Sequence, residues 1–232
     1  MWRGGYMALS TVDSLQGSVA AIVDQDESTA NISTADYSLR LKYLNMAQTE
    51  WAELYDWQAL YKEYNMNIST STGNASVLLP TDFRKPASAP KIMVDTTGYE
   101  FLITRPQEAG QYLDTDRRVT FLGNYQDSYI LRIYGATLAS GASIQVPYYA
   151  SAQSLVSPIN VSMCPNPDYL VKRTIAYLWE AREDPRFPGM KNEAETILRN
   201  MLEQENVFPE GSAFDRVKTS DESRYGFRIG KD

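Results

Sequence analysis

The sequence predicts an α+β protein: a four-helix bundle formed by N- and C-terminal helix pairs, with an inserted antiparallel β-sandwich or small barrel and an extended C-terminal tail. Three observations predict it. Apolar residues recur at helical spacing near both ends of the chain. From Trp57 onwards the period changes to two, and turn signals separate short apolar runs. After Asn206 neither period survives. The expected division is therefore 1–56 with 165–206 as a discontinuous helical bundle, 57–164 as a β module, and 207–232 as a partner-binding tail. Each helix pair is too short to bury its own apolar stripe, so the two pairs are expected to pack together.

The first helix is expected to start at Ser10, with Asp13 completing a capping-box-like pair and Leu9 placed as a hydrophobic staple. Val12, Leu15, Val19 and Ile22 then fall on one stripe. A polar loop, DQDESTANIST, follows at 24–34. The second helix begins at Ser33 or Thr34, with Asp36 near the positive end of its dipole. Tyr37, Leu41, Leu44, Trp51 and Tyr55 form its apolar face, and Gln48 is the one polar intruder. Trp51, Tyr55 and Trp57 are read as packing residues.

Leu60, Lys62, Tyr64, Met66 and Ile68 alternate with their neighbours as a half-buried strand. A turn at 69–75 leads to Val77 and Leu79, and Pro80 ends the return strand by removing a ladder donor, so a hairpin is expected here. Further strands are expected at 91–95, 99–104, 118–122, Ser128–Tyr134 and Ser143–Ala150, with a helical turn or two at 106–113. Asn166-Pro167-Asp168 opens a third helix with a capping side chain, a proline at the first position and an acid in the first turn. Leu170, Val171, Ile175, Leu178 and Ala181 are its apolar face, and Asp184-Pro185 closes it. The last helix opens near Pro188 and turns Ala194, Ile197, Leu198, Met201 and Leu202 inward.

Composition narrows the function classes. The chain contains no histidine, which removes Ser-His-Asp and Cys-His catalysis and the usual zinc sites. One cysteine, Cys164, excludes an internal disulfide and is read as a small buried residue. A net charge of −7 offers no basic face for holding nucleic acid. No targeting segment is read at the N-terminus, and no apolar run approaches the ~20 residues of a membrane span. Asn31, Asn67, Asn74 and Asn160 stand in Asn-x-Ser/Thr triplets, read as chance in a Ser/Thr-rich chain. Sixteen tyrosines suit surfaces that are half buried or meet a partner.

Carboxylates are the remaining catalytic material. Glu180, Glu183 and Asp184 cluster on or beside one helix, and Asp114 and Asp116 adjoin Arg117 and Arg118. A solvated helix face and a charged loop account for them. Counted from Asp114, a calcium loop would need glycine and glutamate where Val119 and Tyr125 stand. No metal, cofactor or catalytic residue is therefore assigned.

The order of the motifs carries more. The segment 44–57 ends in Asp56-Trp57 and is followed by Leu79-Pro80-Thr81-Asp82-Phe83, then ILRIYGATLASGASIQVPYYA with its Tyr148-Tyr149 pair, then NPDYLVKRTIAYLWEAREDPRF with Pro167 and Asp184-Pro185. This series, over about residues 10–206, resembles the head-to-tail adaptor (connector, neck) proteins of tailed bacteriophages. The 24–34 loop is longer than that resemblance leads one to expect.

The resemblance implies a structural virion protein without catalytic activity or cofactor. It implies a homo-oligomeric ring, typically of twelve subunits, that docks on the portal protein after DNA packaging. Double-stranded DNA passes through such a ring without sequence-specific binding, and tail, stopper or nozzle proteins attach to it. Assembly would take place in the host cytoplasm, with no membrane involved. In the tail, Phe208, Phe214, Tyr225 and Phe227 are the expected portal anchors, and Arg216, Arg224 and Arg228 the expected partners of acidic portal groups. Another virion ring protein, of the tail tube or tail-completion kind, and a carbohydrate-binding module remain as alternatives.

Overall fold

The structure is a computed structural model that describes residues 10–25, 28–67, 75–88, 91–94, 97–107, 118–124, 128–134 and 143–206. Among the described residues four α-helices, α1 (Val12–Val23), α2 (Thr34–Leu54), α3 (Pro167–Ala181) and α4 (Phe187–Asn206), flank nine strands in sequence. The strands are β1 (Tyr61–Asn67), β2 (Ala75–Leu78), β3 (Phe83–Pro86), β4 (Lys91–Val94), β5 (Thr97–Glu100), β6 (Leu102–Ile103), β7 (Arg118–Asn124), β8 (Ser128–Tyr134) and β9 (Ser143–Ala150). The fold class is α+β, as the sequence predicts.

The helical ends form for the expected local reasons, with one displacement. Ser33 caps α2 by accepting the Asp36 amide at 3.1 Å. Asn166 caps α3 by accepting the amides of Asp168 and Tyr169 at 3.1 and 3.4 Å. α1 starts later than expected, capped by Thr11 rather than Ser10. Ser10 and Thr11 are extended because they pair with another segment: Ser162 donates to the Ser10 carbonyl, and Thr11 bridges Val161. Ile22, expected on the inward stripe, is 43% exposed, and Ala181 also faces solvent. α3 lies centrally among the helices, packing on α1, α2 and α4. Val12, Leu15, Val19, Leu44, Trp51, Leu170, Ile175, Leu178, Ala194 and Met201 share one apolar core there.

The β region differs from expectation in its pairing. β1 pairs antiparallel with β9, Tyr61 opposite Tyr149 through Asn67 opposite Ser143. β2 pairs with β8 instead. The expected β1–β2 hairpin is therefore wrong, although both strands exist. A short loop makes local pairing cheap to close, but seven-residue β1 finds a full-length partner only in β9. β9 is the centre of the first sheet, with β1 along one edge, β3 and β4 in tandem along the other, and β5 beyond β4. The second sheet runs β2-β8-β7-β6. Its β6–β7 pair is parallel, so the sheets are not purely antiparallel.

The single strand expected at 99–104 is divided. β5 ends in the first sheet and β6 begins in the second, and Phe101 between them is 1% exposed. The chain crosses between sheets at that residue, which fills the space between them. A second apolar cluster, including Val77, Phe83, Phe101, Val119, Leu131, Ile144, Val146 and Tyr148, takes residues from both sheets. Most of the helical turn expected at 106–113, the turn at 69–75 up to residue 74, and Asp114 and Asp116 lie outside the described residues, and Ala75 opens β2.

Candidate functional site

Two of the motifs singled out in the sequence, Asp56-Trp57 and Leu79–Phe83, meet with Tyr148 at the seam between the helices and the sheets. α2 ends at Leu54, and the chain turns through Tyr55 and Asp56 into Trp57. Trp57 is 1% exposed, stacks on Trp51 at 5.3 Å and donates its Nε1–H to the Trp51 carbonyl at 2.6 Å. The end of α2 is capped from a distance. Arg84 on β3 donates to the carbonyls of Ala52 and Tyr55, and pairs with Asp56 at 3.0 Å. Lys85 reaches the same Asp56 carboxylate at 2.6 Å. A cation at a helix C-terminus satisfies orphan carbonyls and opposes the negative dipole end. α2 has no basic residue in its own last turn, so β3 supplies it.

The Leu79–Pro80–Thr81–Asp82–Phe83 element forms the other half of the seam. Pro80 accepts the Phe83 amide at 3.0 Å, which closes a tight turn. Asp82 then spreads its acceptors over three segments: Lys62 at 2.6 Å, the Tyr148 hydroxyl at 2.9 Å and, through its carbonyl, the Ser151 amide at 2.7 Å. Phe83 lies within 5.2–5.5 Å of the rings of Phe121, Tyr129 and Tyr148. Burial, followed by the hydrogen bond to Asp82, holds the Tyr148 phenol well above its ordinary range, so it acts as a fixed donor.

From β9 the chain enters a link, residues 151–165, that α2 clamps with two side-chain amides. Asn45 accepts the Leu155 amide at 2.7 Å and donates to the Leu155 carbonyl at 2.8 Å. Gln48 accepts the Met163 amide at 2.8 Å and donates to the Gln153 carbonyl at 2.7 Å. These contacts hold the link the way a neighbouring strand would. Asn160 ties its far end by accepting the amides of Val156 and Ser157, and α1 adds bonds from Val12 and Asp13 to Asn160 and Pro158. On this braced link Val156 and Ile159 are 75% and 80% exposed. Beside it an open groove runs along α2, lined by Lys42, Met46, Glu53, Leu54, Ser154 and Tyr177.

Of the carboxylates considered for catalysis, the described ones, Glu180, Glu183 and Asp184, are not assembled into a reactive site. Glu180 and Glu183 are exposed. Asp184 is bound by Arg186 at 2.7–3.3 Å, which holds its carboxyl down to about 2 and keeps it ionised, the reverse of what a general acid needs. Among the described residues no group of His, Cys, Asp and Glu is placed to hold a metal ion, and no helix is long and apolar enough to cross a membrane. Cys164 is fully buried, and burial pushes its thiol up to about 12. Trp51, Trp57 and Trp179 are buried too, so none of them offers a face to a sugar. Phe208, Phe214, Arg216, Arg224, Tyr225, Phe227 and Arg228 all lie outside the described residues.

Residues 10–217 match the family described as SU10 adaptor protein. The chain belongs to that family. The match spans all four helices and both sheets, and it agrees with the bacteriophage head-to-tail adaptor resemblance carried by the seam motifs. This is a family of structural phage adaptors, not of enzymes. The match also runs past α4, so Phe208, Phe214 and Arg216 fall inside it, beyond the span over which the motifs carry the resemblance. Arg224, Tyr225, Phe227 and Arg228 fall outside it. Among curated proteins none matches this chain.

Asn45, Gln48 and Arg84 are the bracing residues to which motif reading gave no role. Gln48 left a signal, a polar residue inside an apolar helical stripe. Arg84 left none, because its partners lie about thirty residues away along the chain.

Proposed function

We propose that this chain forms the adaptor ring between the portal and the tail of a bacteriophage. The observation that carries the reading is the family match over residues 10–217, which covers the whole described structure. In this reading the ring is a homo-oligomer, of twelve subunits in the form the resemblance implies, that joins the portal after packaging. It lengthens the DNA channel and supplies the attachment site for tail proteins. The helical body makes the ring wall, the β module faces the tail side or the outer rim, and residues 207–232 reach the portal.

Three properties support it. A chain with 29 acidic and 22 basic residues repels phosphates, so DNA slides through a lumen instead of adhering. The braced link presents Val156 and Ile159 without further ordering cost, which suits contact between rigid subunits. The family match runs past α4 to residue 217, so the start of the tail segment lies within the family's own span.

Negative-stain imaging of the purified protein, alone and with portal, tests the reading. A ring capping the portal is the expected result, and particles that never associate with portal would remove it. Deleting 207–232 should leave a folded protein that no longer joins the portal. Unchanged affinity of the truncated chain would show that the tail is not the docking element.

A further inference from the structure

The outward face of α2 is a part of the helical body that the adaptor reading leaves unused. α2 buries Leu44, Ala47, Gln48 and Trp51 on one side. On the opposite side Leu39, Lys42, Met46, Thr49 and Glu53 follow one another at spacings of 3, 4, 3 and 4 residues. All five are exposed, Leu39 to 38% and Met46 to 41%, and Leu54 at the end of the same helix to 52%. A surface helix keeps its large apolar residues on the core side, and α2 does not. Alternating spacings of 3 and 4 make a straight seam of the kind that packs against another helix.

Both flanks of this face are fixed. On one, Arg173 and Tyr177 of α3 hold Glu50, and Tyr43 stacks on Tyr177 at 5.8 Å. On the other, Asn45 and Gln48 hold the link. The face is therefore carried on a braced helix, which a partner meets at little ordering cost. Its charges select the partner. Lys42 and Glu53 lie equally far along the helix from the midpoint between Met46 and Thr49. A helix packing here needs an acid facing Lys42, a base facing Glu53 and no charge between them. α1 contains no Lys or Arg to face Glu53. α3 is packed among the other three helices. The outward side of α4 carries Glu195, Arg199 and Glu203, and no large apolar residue is exposed there. α2 itself, laid antiparallel, meets every requirement: Glu53 of a second copy falls opposite Lys42, Lys42 of that copy opposite Glu53, and Met46 opposite Thr49.

We propose that two copies of the free chain pair through their α2 faces, antiparallel, with Lys42 of each against Glu53 of the other. Such a contact uses the same patch on both copies, so it is distinct from the head-to-tail contacts that close a ring. It goes beyond the adaptor reading and describes the protein before it joins a portal. A seam of about four turns is small beside a stable interface, so the pair is weak and separates readily.

Sedimentation equilibrium of the full-length protein tests it, with a monomer–dimer equilibrium expected for the wild type. Lys42→Glu and Glu53→Lys lie at exposed positions where the fold should survive, as circular dichroism would verify. Each sets like charges opposite one another twice and should weaken the pair about tenfold. The double variant Lys42→Glu/Glu53→Lys restores both pairs in the reversed sense, and its dissociation constant should return to within about threefold of the wild-type value. Absence of a wild-type dimer would overturn the proposal. Single variants that pair as well as the wild type would place the contact on another surface. A double variant as weak as the single ones would overturn the antiparallel arrangement. Weaker capping of the portal by Lys42→Glu, with self-association unchanged, would give the face to the portal instead.

Discussion

Gln48 and Glu205 show how single polar groups are used in this protein. Gln48 is 1% exposed inside an otherwise apolar helix face, and both ends of its amide serve the backbone of the link. Truncating it strands the Met163 amide and the Gln153 carbonyl, both in part-buried bonds, so Gln48→Ala should cost about 1–2 kcal/mol in urea unfolding, more than loss of a surface glutamine. Glu205 lies near the end of α4, where burial raises its carboxyl above the usual range although the Gln58 amide bonds to it in the opposite sense. A raised carboxyl means that folding favours the protonated form. That contribution is present below the ordinary value of 4.5 and is lost as pH rises through the higher folded value. Glu205→Gln should therefore raise the thermal midpoint at pH 7 and change it little at pH 4, and equal shifts at both pH values would contradict the sign.

At the scale of elements, the helix ends carry the clearest energetic signatures. α3 closes in a Schellman arrangement: Asp184 donates to the Trp179 carbonyl, Glu183 donates to Glu180, and Glu183 takes φ 54°. That left-handed position is one glycine fills without steric penalty. Glu183→Gly should stabilise the protein by about 0.5–1 kcal/mol, read as a higher urea midpoint with an unchanged slope. The end of α2 behaves differently because its cap comes from β3. Arg84→Met should cost about 2 kcal/mol by freeing the Ala52 and Tyr55 carbonyls and the Asp56 carboxylate. Amide exchange would locate the damage at the α2–Trp57 turn, and exchange unchanged there would mean that Arg84 is a surface residue with no capping role.

At the scale of the whole molecule, two apolar clusters meet at the seam, and Asp56, Trp57, Asp82 and Phe83 are the residues that join them. The motifs Asp56-Trp57 and Leu79–Phe83 thus coincide with the seam between the two clusters. On the docking reading of the tail, removal of 207–232 should leave the thermal midpoint within about 2 °C of the full chain, as expected for a ΔΔG below ~0.5 kcal/mol. A large drop would place the tail in the fold instead of in docking.

The sequence by itself determined the helices, most strand positions, the caps at Ser33 and Asn166, and the family. Each of these is local: a period of 3.6 or 2 reports which face is apolar, and a capping side chain reaches only two or three residues. The tertiary structure alone decided that β1 pairs with β9 and not β2, that Thr11 displaces Ser10 as the α1 cap, that the chain changes sheets at Phe101, and that Arg84 caps α2. These choices depend on which distant face completes the same core. Periodicity along one segment carries no information about the identity of its partner.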